Sequence, residues 1–597
     1  MRSIRFAVAI LIAAVLAAPL GAAAAGSAKP TRNTVIFVAD GLRYGSVTPE
    51  RTPNLARLKQ AGVDFTNSHS LYPTLTTVNA SAIATGHYIG DTGDFANVIY
   101  TGFPVAALGG TTLPFLEDNE ILDEVSAHFG GNYLNETSFV DAARKAGFAT
   151  AVIGKQGPAR IQALTAANDN SGTVIIDDAT GNKGGYPLPP DLQKAMTEAF
   201  VTPGTPPVSV PNYTQEVYLA KLAARVVLPR LKASGKPFVL VFWSRDPDAS
   251  QHGTKDSLGE VRPGINSPTA EAGVRDADTA FGMILDALAT LDLDSNTNIF
   301  VTADHGFATI ARQSATSVAA KPAAQKGAPG ELPPGFVALD IASALKLPLY
   351  NPYKNFARIA YEKGETPSYG SAYIGGSAKH PDIIVAANGG SSLIYLPGRN
   401  AKERARDVVA VLMKQDYVSG LFVNDGLGKI PGTLPMSAVG LMGSAKTPQP
   451  AIYVNFRSFS TGCPDPLMCT AEVTDSPLKT GQGMHGSFSR AETRNFMAAI
   501  GPDFKTGFAD PAPVSNADIV PTMAHLAGIT LPSKGALKGR VIGEAITGGE
   551  PVTTTRKRVA SAPGPDGLET VLDMQMVGET PYFDAAGFPG RTVGLSP

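Results

Sequence analysis

The chain has 597 residues and a formal net charge of −2, from 50 Lys and Arg against 52 Asp and Glu. This length exceeds what one simple hydrophobic core serves, so it allows either several ordinary domains or one large domain with an insertion. The near-zero net charge creates no long-range field that would gather nucleic acid or an anionic membrane, so we expect no nucleic-acid polymer as a partner.

The first residues have the three parts of a secretory signal peptide. Arg2 and Arg5 precede an apolar run at 6–20, and small residues follow at 22–25. These parts predict that residues 1–25 are removed by cleavage near Ala25, and that the mature protein is periplasmic or secreted. The alternative is a retained membrane anchor, which needs about 20 apolar residues. No later stretch sustains such a run, so we expect no membrane span in the mature chain.

Apolar runs of strand length alternate with helical patterns through much of the chain. The strand-like runs lie at 34–39, 150–154, 238–243, 298–303 and 496–500. The helical patterns lie at 52–61, 138–146, 214–233 and 268–291. Strands that are apolar along their whole length are usually buried on both faces, and intervening helices supply the crossovers that parallel pairing needs. The pattern predicts an α/β fold with a mostly parallel central sheet and helices on both faces.

Acidic and imidazole side chains follow three of these predicted strands. Asp40 comes directly after the first strand, Asp304 and His305 follow the strand at 298–303, and Asp248 and His252 follow the strand at 238–243. The carboxyl ends of parallel strands meet at one edge of a sheet, where ligands collect. Asp and His together favour Zn²⁺, although Mn²⁺ and other first-row metals also accept them. The sequence therefore predicts a metal site at this edge.

A Thr-rich segment begins a helical pattern at Thr76. A helix N-terminus presents unpaired N–H groups and the positive end of the helix dipole, which suits an incoming phosphate. Three carboxylates carry three negative charges against the four positive charges of two zinc ions, so an ionised Thr76 would complete neutrality. Asn79, one turn further on, can donate an amide hydrogen bond to a phosphoryl oxygen. Alone, Thr76 is more simply a helix N-cap, but beside the Asp and His clusters it is a candidate nucleophile.

The composition changes after about residue 310 to a lead-in rich in Pro, Gly, Ala and Ser, followed by shorter strand-like and helical segments. We interpret residues 311–480 as a smaller α+β insertion that caps the site, because the chain returns from it just before His485. Residues 26–310 and 481–557 would then form the two parts of the main α/β domain, and residues 558–597 a C-terminal tail. Cys463 and Cys469 lie within the insertion, and in an exported protein they predict a local disulfide.

In this order, the motifs resemble the alkaline phosphatase superfamily, in its nucleotide pyrophosphatase/phosphodiesterase branch. The similar segments are 34–90, 238–307 and 483–531. The resemblance implies a hydrolase of small phosphate esters in which Thr76 attacks phosphorus and forms a phosphothreonine. It also implies two Zn²⁺ ions, one held by Asp40, Thr76, Asp304 and His305, and the other by Asp248, His252 and His485.

The sequence departs from that branch at two places, and alternatives to a phosphodiesterase follow from them. The segment 75–79 lacks the aromatic residue that stacks on a nucleobase in the branch. Lys155 follows a predicted strand and places a cation where related monoesterases carry a lysine; it either pairs the second charge of a terminal phosphate or is exposed. One alternative is an alkaline phosphomonoesterase with the same metals and Lys155 on the phosphate. A second is a noncatalytic, metal-stabilised binding protein.

Overall fold

A computed structural model describes residues 31–166, 172–182, 185, 188–199, 201–321 and 330–596. The predicted signal peptide at 1–25 lies outside these residues. The strands in the described ranges are β1 (Asn33–Ala39), β2 (Val63–Phe65), β3 (Ser68–His69), β4 (Ala149–Gly154), β5 (Val174–Asp177), β6 (Phe238–Ser244), β7 (Thr297–Thr302), β8 (Ala308–Ala311), β9 (Leu349–Tyr350), β10 (Ala372–Ile374), β11 (Ile383–Asn388), β12 (Ser391–Tyr395), β13 (Val418–Val423), β14 (Leu434–Pro435), β15 (Ile452–Phe456), β16 (Ser458–Ser460), β17 (Thr470–Val473), β18 (Gly483–Met484), β19 (Met497–Ile500), β20 (Phe508–Asp510), β21 (Val514–Ser515), β22 (Thr554–Ala560), β23 (Val571–Val577) and β24 (Thr580–Gly587).

The helices in the same ranges are α1 (Pro53–Ala61), α2 (Thr76–Thr85), α3 (Ile89–Thr92), α4 (Asn119–His128), α5 (Phe139–Lys145), α6 (Pro158–Gln162), α7 (Pro190–Glu198), α8 (Tyr213–Leu222), α9 (Leu228–Ala233), α10 (Asp248–Gly253), α11 (Pro268–Thr290), α12 (Phe336–Leu345), α13 (Ala401–Leu412), α14 (Arg490–Thr493) and α15 (Ile519–Ala527). A π-helical turn at Ala223–Val227 joins α8 to α9, so the predicted helix at 214–233 is three consecutive helical segments.

The central sheet has eight strands in the order β20-β2-β19-β7-β1-β6-β4-β5. β1 pairs in parallel with both β6 and β7, and β4 pairs in parallel with β6 and β5. β19 is antiparallel to β7 and to β2. The prediction of a mostly parallel central sheet is therefore confirmed.

Helices cover both faces of this sheet, as the alternation of side chains along β1 shows. Ile36 and Val38 belong to one hydrophobic core, together with residues of α2, α5 and α15. Val35 and Phe37 belong to a second core on the other face, together with residues of α1, α8 and α11. Because successive side chains of a strand point to opposite faces, a strand covered on both faces is apolar at consecutive positions, as β1 is from Val35 to Ala39.

Smaller sheets stand beside the central one. Residues predicted as the insertion provide a seven-stranded sheet in the order β14-β13-β15-β12-β11-β10-β9. A four-stranded sheet has the order β16-β17-β8-β18. β22, which begins just before the predicted C-terminal tail, and β23 and β24 within it form a three-stranded antiparallel sheet, in which β22 is a solvent-exposed edge strand. Within the described ranges no helix is both long and apolar enough to cross a membrane.

Cys463 and Cys469 form a disulfide, which confirms the predicted pairing. The loop that it closes lies against the segment following β1. The carbonyl of Met468 accepts hydrogen bonds from the Arg43 guanidinium and from the side chain of Asn266, each at 2.9 Å. The disulfide loop therefore packs on the main α/β domain.

Candidate metal centre

The carboxyl edge of the central sheet brings the predicted ligands together. Asp40 follows β1, Asp304 and His305 follow β7, and His485 follows β18. Asp248 and His252 occupy the first and fifth positions of α10, a spacing that places both side chains on one face of a helix. The groups that come close enough to share an ion, with ligand atoms within 4.8 Å of one another, are Asp40, Asp304 and His305, and Asp248, His305 and His485.

Each of the three aspartates has one oxygen held by hydrogen bonds and one that is not. Asp40 Oδ2 accepts from the Trp243 indole N–H at 2.8 Å, and Asp304 Oδ1 accepts from the backbone N–H of Gly41 at 3.0 Å. Asp248 Oδ2 accepts from Lys155 Nζ at 3.1 Å. The remaining oxygens, Asp40 Oδ1, Asp248 Oδ1 and Asp304 Oδ2, are buried and receive no hydrogen bond from any described residue. Buried oxygens without donors are costly unless a cation compensates them.

The three histidines share one arrangement. Nδ1 faces a backbone carbonyl at 2.8 Å in each case: Gly483 for His252, Gly306 for His305 and Thr74 for His485. Nε2 faces the carboxylates, at 3.1 Å from Asp248 Oδ1 for His252 and at 3.2 Å from Asp304 Oδ2 for His305. A hydrogen bond from Nδ1–H to a carbonyl leaves the Nε2 lone pair free, which is the usual state of a metal-bound imidazole.

The electrostatics of the cluster also suit cations. Burial, followed by the charge of Asp304, raises the pKa of Asp40 well above its usual range. Burial raises the pKa of Asp304 to about 7 and lowers that of His305 to about 3 and that of His485 to about 4. The His305 and His485 rings stack at 3.6 Å between centroids. Crowded carboxylates beside uncharged imidazoles fit a pair of divalent ions, which would neutralise the acids and bind the free Nε2 atoms.

Thr76 is the first residue of α2 and is fully buried at this centre. The N-cap position belongs to Leu75, so the Thr76 hydroxyl does not cap the helix. Its Oγ1 lies 3.3 Å from His305 Nε2. The structure thus places the predicted nucleophile among the predicted ligands.

Asn79 lies one turn further along α2, and its side chain is already hydrogen-bonded. Nδ2 donates to the carbonyls of Leu71 and Leu75 at 3.1 Å, and Oδ1 accepts from the backbone N–H of Leu71 at 2.8 Å. To contact a phosphoryl oxygen, the Asn79 amide would have to give up one of these carbonyls. The predicted role of Asn79 stays a prediction.

Lys155 is buried between the two groups of ligands. Its Nζ lies 3.0 Å from Asp40 Oδ2, 3.1 Å from Asp248 Oδ2 and 3.1 Å from Glu117 Oε2. Burial alone would lower the pKa of Lys155, but the charges of Asp248, Asp40 and Glu117 raise it well above its usual value. Lys155 is therefore not exposed, and its predicted pairing with a terminal phosphate stays a prediction.

Three residues at the centre are not identified from the sequence. Glu117 pairs with Lys155 and accepts a hydrogen bond from Asn97 Nδ2 at 2.8 Å. Asn97 Oδ1 in turn accepts from the backbone N–H of Thr77, beside the nucleophile, at 3.0 Å. Trp243 is a core residue, as its strand predicts, but its N–H also orients Asp40. Glu117 and Asn97 lie outside any regular strand, so no periodic pattern marks them.

A mostly parallel α/β sheet with this cluster at its strand ends defines an alkaline-phosphatase-like protein with a candidate metal centre. The family described as type I phosphodiesterase / nucleotide pyrophosphatase has a model that matches residues 34–356, more than half of the chain. The chain belongs to this family of phosphodiester and pyrophosphate hydrolases, within the alkaline phosphatase superfamily. A comparison with curated proteins found no match.

Proposed function

We propose that the protein is an exported, two-metal phosphoric-ester hydrolase that acts through Thr76, with phosphodiesters or pyrophosphates of small molecules as substrates. The observation that carries the proposal is the position of Thr76 Oγ1, 3.3 Å from His305 Nε2, beside three buried carboxylate oxygens that lack donors. Asp40, Thr76, Asp304 and His305 would hold one Zn²⁺, or another divalent ion, and Asp248, His252 and His485 would hold the second.

When bound, such ions lower the pKa of a hydroxyl that they contact and neutralise charge on phosphoryl oxygens. Thr76 Oγ1 attacks phosphorus, and an alcohol leaves from the opposite side to give a phosphothreonine. Water then attacks the same phosphorus, breaks the bond to Thr76 and releases the phosphate product. In the first step Thr76 loses a proton and the departing alkoxide gains one; in the second step a proton of the attacking water restores the Thr76 hydroxyl. Thr76 is the first residue of α2, so the positive end of the helix dipole would favour the negative charge of the transferred phosphoryl group.

The test is hydrolysis of bis(4-nitrophenyl) phosphate by the zinc-loaded protein and by Thr76→Ala. We expect the variant to lose about three orders of magnitude or more in kcat, because the nucleophile is removed. Thr85→Ala is a matched control, since Thr85 lies at the other end of α2 and bonds the Ser81 carbonyl at 2.7 Å. Wild-type protein that binds zinc but hydrolyses neither this diester nor 4-nitrophenyl phosphate would instead favour the noncatalytic binding protein.

A phosphomonoesterase is the second candidate, and the position of Lys155 favours it. A lysine within 3.1 Å of Asp40 and of Asp248 lies between the two proposed ion sites, where it can reach a terminal phosphate oxygen. Rates on 4-nitrophenyl phosphate and on its methyl ester separate the two functions. If the monoester is the true substrate, Lys155→Ala lowers its turnover selectively and leaves the methyl ester nearly unaffected.

We further propose that residues 1–25 direct export and that residues 311–480 form a cap over the centre. The Cys463–Cys469 disulfide supports an oxidising compartment. The cap is supported by the turn after β11. Asn388 exchanges hydrogen bonds with the backbone of Val98 at 2.8 and 3.0 Å, and the N–H of Gly390 donates to the carbonyl of His485 at 2.9 Å. N-terminal sequencing of the mature protein tests the cleavage site.

A further inference from the structure

Two buried glutamates behind the candidate metal centre have no role in the chemistry described so far. Glu472 lies on β17 and Glu492 lies on α14, and both side chains are fully buried. Glu472 Oε1 and the backbone nitrogen of Ser487, which donates to Glu492, both lie beside Gly390, so the two side chains are neighbours.

The two glutamates are not equivalent, because only one has donors. Glu492 Oε2 accepts from the N–H groups of Gly486 and Ser487 at 2.6 and 2.7 Å, and Oε1 accepts from the Ser487 hydroxyl at 2.7 Å. Neither oxygen of Glu472 accepts a well-formed hydrogen bond from a described residue. Burial and the charge of Glu492 raise the pKa of Glu472 well above its usual value. Of the two, Glu492 is therefore the residue whose carboxylate holds its surroundings through hydrogen bonds.

Glu492 touches three of the segments that carry the candidate centre. The residues 485–487, which we term the His485 loop, are bound through their N–H groups as described. Thr74, two residues before the nucleophile, has its hydroxyl 2.7 Å from Glu492 Oε2, and its carbonyl receives His485 Nδ1 at 2.8 Å. The backbone carbonyl of Glu492 accepts from the N–H of Gly306, next to His305, at 2.7 Å.

Glu472 belongs to the proposed cap and packs against the turn of the cap that follows β11. A Cβ added at Gly390 would lie 2.8 Å from Glu472 Oε1 and 2.6 Å from the backbone nitrogen of Ser487. Only a residue without a side chain allows the turn after β11 to approach this closely. Glu472 is thus enclosed by the turn, the His485 loop and Glu492, with no room for solvating water.

We propose that Glu492 is a positioning residue of the metal centre, whose carboxylate holds the His485 loop against the segment that carries Thr76. The consequence for catalysis rests on the proposed function, whereas the positioning of the loop does not. The Thr74 carbonyl that receives His485 Nδ1 lies in a segment that the Glu492 carboxylate holds. Loss of the carboxylate therefore disturbs His485 of one proposed ion site and the segment before Thr76 of the other, whereas the backbone hydrogen bond from Gly306 to the Glu492 carbonyl remains.

The experiment compares Glu492→Ala, Glu492→Gln and Glu472→Gln with Asp340→Ala, which truncates a buried acid of the insertion that accepts from Ser317 and Tyr417. Three quantities are measured on the full chain: amide hydrogen exchange at Gly486 and Ser487, zinc retained against a chelator, and kcat/KM on bis(4-nitrophenyl) phosphate. For Glu492→Ala we expect exchange at least about tenfold faster, and about 10- to 100-fold weaker zinc retention and lower kcat/KM.

The conservative variants give an ordered series. Glu492→Gln keeps one acceptor oxygen, so its loop protection, zinc retention and kcat/KM should fall less than those of Glu492→Ala. Glu472→Gln keeps the size of a side chain that accepts no well-formed hydrogen bond from the His485 loop, so its losses in loop protection, zinc retention and kcat/KM should be at least about tenfold smaller than those of Glu492→Ala. Asp340→Ala should retain zinc and wild-type exchange at Gly486 and Ser487, because it does not contact the loop.

Wild-type exchange rates in Glu492→Ala, or equal losses in Glu492→Ala and Asp340→Ala, would overturn the inference. If Glu492→Ala does not fold, Glu492→Gln is judged by the same three measurements. Absence of hydrolysis by the wild-type protein would refute the proposed function. Even then, zinc retention and exchange at Gly486 and Ser487 still decide whether Glu492 positions the loop.

Discussion

Replacing Lys155 by Met should destabilise the metal-free protein far more than the zinc-loaded protein. The Lys155 side chain is 2 % exposed and its Nζ contacts Asp40, Asp248 and Glu117 at 3.0, 3.1 and 3.1 Å. Met preserves the buried stem but removes the charge, so three acids lose their shared cation. Breaking a buried ion pair from one side typically costs about 3 to 5 kcal/mol, and we expect a loss of that size without metal.

With zinc bound, the ions compensate Asp40 and Asp248, and Glu117 keeps its hydrogen bond from Asn97. The unfolding free energy lost on replacing Lys155 by Met should then fall to about half or less of its metal-free value. If this loss is about 2 kcal/mol smaller in the zinc-loaded protein than in the metal-free protein, linkage requires that zinc binds the variant about 30-fold more tightly than the wild type. Lysine and zinc therefore compete for the same carboxylates.

The assay is urea unfolding of wild type and variant, with chelator and with excess zinc, combined with a zinc competition titration. Lys194→Met is the control, because the Lys194 side chain is 78 % exposed and 3.7 Å from Glu198. Equal destabilisation with and without zinc, or no destabilisation in chelator, would refute the idea that Lys155 neutralises these carboxylates when the metal ions are absent.

Three further predictions concern the support of the centre and the disulfide. Trp243→Phe removes the N–H that binds Asp40 Oδ2 at 2.8 Å and should weaken zinc binding about 10- to 100-fold in a competition titration. Burial raises the pKa of Asp94 to about 7, so between about pH 4 and 7 the folded state binds a proton that the unfolded state has lost, and stability falls as pH rises. The unfolding free energy is measured in chelator between about pH 4 and 7 for the wild type and for Asp94→Asn. The slope of this free energy against pH should be less negative in the variant by about 1.4 kcal/mol per pH unit, and an unchanged slope would contradict the raised pKa of Asp94. Replacing Cys463 and Cys469 by Ser should lower the unfolding free energy by about 2 to 3 kcal/mol in urea, and the difference should vanish when wild type is reduced.

The fold and the convergence of the ligands follow from local patterns in the sequence. β1 is apolar from Val35 to Ala39 because both faces are buried, and Asp40 comes at its carboxyl end. The same pattern marks Asp304 after β7. The spacing of Asp248 and His252 is that of one helical turn, and the structure has a helix there. In these cases, short-range sequence determines where the side chain lies.

The surroundings of the ligands were harder to predict, because they depend on contacts between distant segments. Lys155 follows a strand in the sequence, but only the fold shows that its amine meets Asp40, Asp248 and Glu117. Glu117 lies just before α4, which has Asp118 as its N-cap and Glu120 in its first turn. Its sequence context therefore indicates an acidic helix N-terminus and not part of a metal centre. Glu492 lies in a four-residue helix, and its carboxylate contacts Thr74, which is more than 400 residues away in the sequence.

The exposed edge strand β22 bears on how the protein behaves in concentrated solution. An edge strand offers unpaired N–H and C=O groups to any other extended chain, and such pairing is a route to aggregation. β22 carries Arg556, Lys557 and Arg558 in succession, all exposed. Two copies aligned edge to edge would bring these cations together, so electrostatic repulsion keeps the C-terminal sheet from growing into a ribbon shared between molecules.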